Sequence, residues 1–193
     1  MILVFGSINV DVVVPVPQLP RPGETVLGGD YSLLPGGKGA NQAIAARRAG
    51  ANVVMAGAVG RDSFAAVALD PLREAQTDTR LVRVVDTPTG CAVIMVADGG
   101  ENLIAVAPGA NAAVRHDQVP DAQLTPGMTL VAQMEVPFVE TAQMIRRVRA
   151  VGGRVLLNLA PARAIDPGLL REIDLVVANQ QEAAILGADA ARI

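Results

Sequence analysis

Tryptophan is absent from this 193-residue chain, and three Phe and one Tyr are its only aromatic residues. A core without large rings must be filled by Val, Ile, Leu, Ala and Met, as in the buried sheets of α/β proteins. Cysteine is nearly absent as well. Cys91 alone excludes an internal disulfide framework and suits a reducing cytoplasm. No apolar run reaches the roughly 18 residues a membrane span needs. The apolar start, Met1 to Gly6, lacks the basic and long hydrophobic regions of a signal peptide and reads as a first strand. The net charge is −3, with no run of Lys or Arg, which argues against a nucleic-acid or membrane surface. Lysine is the last scarcity: Lys38 is the single lysine among sixteen basic residues. A nucleotide-composition bias toward Arg explains the excess of the other cation, and the lysine that survives it invites a chemical reason.

What is present is a hydrophobic fraction of 51%, enough for a real core in a chain the length of one domain. Apolar runs at 2–5, 10–14 and 27–34 read as strands, with Pro15, Pro17, Pro20 and Pro22 breaking the second. Ala40 to Ala49 has helical periodicity and stops at Gly50. A strand at 53–58, a helix at 63–76 and strands at 81–85, 91–97 and 103–107 follow. Pro71 is expected to kink or divide that helix, since it removes a backbone donor. A helical turn near 117–123 leads into strand 129–133, helix 139–151, strand 155–159, a short helix near 167–172 and strand 175–178. The later half alternates strand and helix, the pattern of a parallel sheet with crossover helices. In the early half, segments 10–16, 27–35, 90–97 and 102–107 lack helices of their own, and Asp98-Gly99-Gly100-Glu101 is a hairpin turn. They form a small sheet projecting from the α/β layer.

Three groups of residues carry candidate chemistry. Gly36-Gly37-Lys38-Gly39-Ala40-Asn41 opens a helix after an extended segment, where glycines let backbone amides approach an oxygen-rich ligand. It is not a phosphate loop, because the Ser/Thr hydroxyl that would follow the lysine is missing; a plain Gly-rich turn accounts for the same residues. Gly6-Ser7-Ile8-Asn9-Val10-Asp11 follows the first strand, at the edge where open α/β sheets bind ligands. Asn9 and Asp11 share a face of an extended segment and suit vicinal hydroxyls, although an Asn/Asp turn is the simpler alternative. Glu135, Asn158 and Asn179 lie at the ends of three later strands, and Glu182 follows Asn179 at capping-box spacing. Four strands thus send polar side chains to one edge. His116 reads as a solvated loop residue beside Asp117, and Cys91 as packing.

These segments, with Pro22-Gly23-Glu24-Thr25 and Gly109-Ala110-Asn111, resemble the ribokinase-like PfkB carbohydrate kinases in order and over nearly the whole chain. The resemblance implies a Rossmann-type, mostly parallel sheet flanked by helices, with a β-sheet lid from about 10–36 and 89–107. It implies that Asn9, Asp11, Gly37, Lys38, Asn41 and Glu135 hydrogen-bond a sugar, and that Ala92 and Ile94 cover its apolar face. Asn179 would lie near the ATP phosphates, with Glu182 acting on Mg2+ through water. Lids of two subunits would pack into a homodimer. Lys38 then has its reason: a compact cationic donor that Arg does not mimic in the same space.

One departure is large. The family's second signature, an Asp-Thr-x-Gly-Ala-Gly-Asp-like run, is missing from residues 1–193. Its Asp is the family's catalytic base, and a monovalent cation such as K+ would be held in the same missing segment. Phosphoryl transfer depends on positioning and charge stabilisation, so the chain is expected to be an incomplete, inactive α/β domain of a longer product. D-ribose is the expected substrate of that product. The rivals are a fructokinase-like or nucleoside kinase and a non-catalytic sugar-binding or dimerising module.

Overall fold

The structure is a computed structural model and describes residues 1–186. Two sheets share the chain. The larger has six parallel strands in the order β10-β9-β8-β1-β4-β5: β1 (Ile2–Phe5), β4 (Val53–Gly60), β5 (Asp78–Val85), β8 (Thr129–Ala132), β9 (Arg154–Asn158) and β10 (Leu175–Val177). The smaller has the order β3-β2-β6-β7, from β2 (Asn9–Val16), β3 (Ser32–Gly36), β6 (Gly90–Ala97) and β7 (Asn102–Ala107). It is mixed: β2 runs parallel to β6 and antiparallel to β3.

Alternation across the large sheet splits the core in two, as the period of two requires. Leu3, Phe5, Val54, Ala56, Ala58, Leu130 and Ala132 point to one face, packed by α3 (Phe138–Ala150) through Met144, Ile145 and Val148. Val4, Val53, Met55 and Val59 point to the other, against α1 (Lys38–Arg48) and α2 (Ser63–Glu74). The small α4 (Pro167–Leu170) and α5 (Gln180–Ile185) complete the described helices.

Several boundaries differ from the sequence reading for identifiable reasons. Pro71 does not divide α2, because Ala68, Leu69 and Leu72 are buried on both sides of it and tie the helix to the core. Strand β2 passes through Pro15. Its pairing with β3 ends at Val13, so the missing N–H is not needed there, and the Pro15 carbonyl accepts from Gly29 N–H. Strand β3 begins at Ser32 rather than near Leu27. The turn near 117–123 is two single 3-10 turns, His116–Gln118 and Asp121–Gln123, on either side of Pro120. His116 is not simply solvated: its Nδ1 lies 2.6 Å from Glu140 Oε2, and its backbone N–H donates to the same oxygen at 2.9 Å. That backbone bond comes first among the contacts holding the Glu140 carboxyl below its ordinary range.

Candidate functional site

The chain crosses between the sheets at Gly6–Ile8, between β1 and β2, and again at Gly37, between β3 and α1. The two crossings touch. A Cβ on Gly39 would sit 2.7 Å from both Ser7 N and Ser7 O, and one on Gly37 would sit 2.8 Å from Asn9 N. Gly37 also holds φ of 89°, a conformation that favours glycine. The glycines are therefore a packing requirement of the crossing as well as an opening to the ligand side.

Glu135, three residues past the end of β8, reaches into this crossing. Its Oε1 accepts from Lys38 Nζ at 2.8 Å, and its Oε2 accepts from Lys38 N at 2.9 Å and Ser7 Oγ at 2.5 Å. Ser7 Oγ in turn accepts from Gly39 N at 3.2 Å. One carboxylate thus joins β8, the β1–β2 crossing and the first turn of α1. Burial opposes its ionisation, but the hydrogen bonds from Lys38 and Ser7 outweigh burial and hold the carboxyl below its ordinary range. Asp11 behaves in the opposite way. Burial and the nearby Glu135 charge raise its pKa, and Lys38 offsets them only in part. Its carboxyl lies over Gly36, where a Cβ would come 2.2 Å from Oδ1.

A cavity of about 320 Å³ opens beside these groups, lined by Asn9, Lys38, Val106, Pro108, Asn111, Met134, Glu135 and Pro161. The small sheet contributes its roof through Val106. Ala92 is opposite both Val106 and Asp11 in register, so all three share that face, and half-buried Ile94 follows two residues on. Asn41 is exposed one turn after Lys38, on the same side of α1. Lys38, Glu135 and Asn9 are therefore brought to one cavity and Asp11 is within electrostatic reach of the first two, but Asn41 is not among the lining residues.

Asn179 and Glu182 belong to a different part of the edge. Asn179 caps α5: its Oδ1 accepts from Glu182 N at 2.8 Å, and Glu182 Oε2 accepts from Asn179 N at 2.8 Å. The capping alternative for this pair is real, and among the described residues the other oxygen of Glu182 makes no hydrogen bond. Asn158 ends β9 half-buried and does not line the cavity.

Reading the chain residue by residue assigns Ser7 and Asn111 no contact of their own. Ser7 bonds the central carboxylate, and Asn111, only 1% exposed, bonds both Ile8 and Asn9. Their signal was their place inside the Gly6–Asp11 and Gly109–Asn111 segments. A Ser beside Gly and an Asn after Gly-Ala otherwise look like turn residues.

Comparison with known proteins places the chain in a family. The model of the pfkB family of carbohydrate kinases matches residues 1–190. Ribokinase of Haemophilus influenzae is 40% identical over 188 residues, covering 95% of this chain and 61% of the relative, and ribokinase of Bacillus subtilis is 35% identical, covering 96% and 64%. The chain thus spans less than two thirds of the length of these curated relatives. Among solved structures, ribokinase of Thermotoga maritima superposes with a TM-score of 0.89 at 30% identity, covering 98% of this chain and 62% of that one. Ribokinase of Arabidopsis thaliana, solved with ribose and ATP, superposes at 0.83 with 28% identity, covering 96% and 62%. With its motifs, fold and family match in agreement, this chain belongs to the pfkB family of carbohydrate kinases.

Proposed function

We propose that this chain supplies the sugar-binding half of an ATP-dependent sugar kinase, with D-ribose converted to D-ribose 5-phosphate as the reaction of the whole protein. The observation that carries the reading is the cavity in which Lys38, Glu135 and Asn9 meet within reach of Asp11. Two carboxylates accept hydroxyl protons there, and an ammonium and an amide donate, a balance suited to a neutral polyol. Ala92 and Ile94 supply the apolar cover. The ribose and ATP present in the Arabidopsis relative favour the same pair of substrates.

In the reaction, the primary hydroxyl of the sugar attacks the γ-phosphorus of ATP. A new O–P bond forms, the bond to ADP breaks, and the hydroxyl proton passes to a base. That base is assigned to sequence beyond residues 1–193. The residues of this chain bind and orient the sugar. Asn179 and Glu182 would face the phosphates. Mg2+ would be held beside them, with Glu182 acting on it through water. Leu34 and Ile104 on the face that carries Val106, and Val93 and Leu103 on the opposite face, leave the small sheet apolar in solvent on both sides and favour a homodimer formed through it.

The test is D-ribose-dependent ADP release, measured on this chain and on the full-length gene product, with Asp11→Ala and Lys38→Ala controls in the latter. Turnover is expected only in the full-length protein and is lost in both variants. Turnover without ribose, or variants without effect, would overturn the assignment. Preference for fructose or a nucleoside would move the substrate within the family.

A further inference from the structure

The side chain of Asn111 joins the end of the small sheet to the start of β2, and its orientation can be read from partners of fixed polarity. An asparagine amide has nearly the same shape in either orientation, so only its hydrogen-bond partners distinguish oxygen from nitrogen. A backbone N–H can only donate and a backbone carbonyl can only accept. Ile8 N–H donates to Asn111 at 2.9 Å, which makes the accepting atom Oδ1. The other end of the amide is therefore Nδ2, and it lies 3.2 Å from Ile8 O, as a donor should. The same Nδ2 is 2.6 Å from the Asn9 side chain, so the Asn9 atom receiving it is Oδ1. Asn9 lines the cavity, and its own Nδ2 has no hydrogen-bond partner among the described residues.

We propose that Asn111 is a positioning residue that turns the Asn9 amide so that its NH2 group faces the cavity as a neutral donor beside the acceptor Asp11. Asn111 acts through Asn9 and the sugar contact belongs to Asn9, so the inference rests on the sugar-binding reading given above. The arrangement is built into the backbone. A Cβ on Gly90, the first residue of β6, would fall 2.2 Å from Asn111 Nδ2 and 2.3 Å from Asn9 Oδ1, so the bond exists only because that position is glycine. Both asparagines are almost completely buried, so the bond between them is shielded from solvent even though Asn9 borders the cavity. The chemical consequence is selectivity. The group facing Asn9 must accept a hydrogen bond, and the group facing Asp11 must donate one.

Side-chain amide exchange followed by NMR on the 15N-labelled chain tests the orientation without any ligand. The Asn111 NH2 protons, both engaged, should exchange at least about tenfold more slowly than those of exposed Asn41, as expected for bonded and buried amides. Equal rates would overturn the proposal. Titration with D-ribose should then shift and slow the Asn9 NH2 resonances, and ribose binding without a response from them would also overturn it. Absence of any ribose binding would sink the sugar reading and leave the exchange result to decide the orientation alone. In Asn111→Asp the acceptor for Ile8 N–H remains but the donor to Asn9 is gone, so the Asn9 amide turns over. Ribose affinity should fall about tenfold, the size of one misdirected hydrogen bond, with the backbone spectrum retained. Unchanged affinity in a folded Asn111→Asp chain would count against the proposal.

Discussion

Strands β4 and β7 are written in similar residues, Val-Val-Met-Ala-Gly-Ala-Val-Gly against Asn-Leu-Ile-Ala-Val-Ala. Every residue of the first is buried and every residue of the second is exposed. The difference lies in what surrounds them. Strand β4 is held between β1 and β5, with α1 and α2 on one face and the α3-side core on the other. Strand β7 is an edge that pairs only with β6. An apolar composition makes burial favourable, but the neighbours decide whether it happens. The large sheet closes β4 on both faces, and the small sheet leaves apolar side chains such as Ile104 and Val106 in solvent.

That contrast can be broken most severely where the sheets join. Gly39→Ala places a Cβ against Ser7 backbone atoms on both sides, with no flexible side chain to give way. It should cost about 3 kcal/mol or more, seen as a large drop in the thermal midpoint. Next comes a paired comparison by urea unfolding. Met55→Ala in β4 removes a fully buried side chain and should cost about 2–5 kcal/mol. Ile104→Ala in β7 should stay within about 0.5 kcal/mol. A cost near that of Met55 would mean that β7 is covered in solution, as a dimer through the small sheet requires.

Glu135→Gln should come third, at about 2 kcal/mol for a charge-assisted hydrogen-bond cluster. Its carboxyl is held below the ordinary range in the folded chain. The stabilisation is therefore present above the ordinary glutamate pKa and is lost as pH falls through the lowered folded value. The gap between wild type and Gln should close in acid. Asp11→Asn has the smallest effect on folding and the opposite sign. Because the Asp11 pKa is raised, the folded chain disfavours the charged form. The substitution should stabilise slightly at neutral pH, and the gain should vanish as pH falls through the raised folded value to the ordinary aspartate range. Ribose binding should nonetheless be lost, and in the wild type it should fade on acidification at a higher pH than an ordinary aspartate would give.

Much of this was legible in the sequence, and for local reasons. The strand–helix alternation was visible because each element carries its own period. The helix opening at Gly37-Lys38 and the Asn179–Glu182 cap were visible because both are short-range devices. Asn9 and Asp11 were found because two residues apart on a strand means one face. Pro71 misled because propensity is local and the burial of Leu69 and Leu72 overrides it. His116 misled because Glu140 lies 24 residues away. Ser7 and Asn111 went without a contact for the same reason, since each acquires its meaning from a partner more than a hundred residues distant.

The amino-acid order by itself determined which segments are strands or helices, where glycine is needed, and which polar groups end up at strand ends, because those depend on neighbours within a few residues. The tertiary structure alone decided that Lys38 meets Glu135 across 97 positions and that Asn111 orients Asn9 across 102. It also decided which of two similar strands is hidden from water. These outcomes follow from β8 lying beside β1 and from the small sheet folding over that junction, an arrangement set by the summed packing of both cores and encoded in no single stretch of chain.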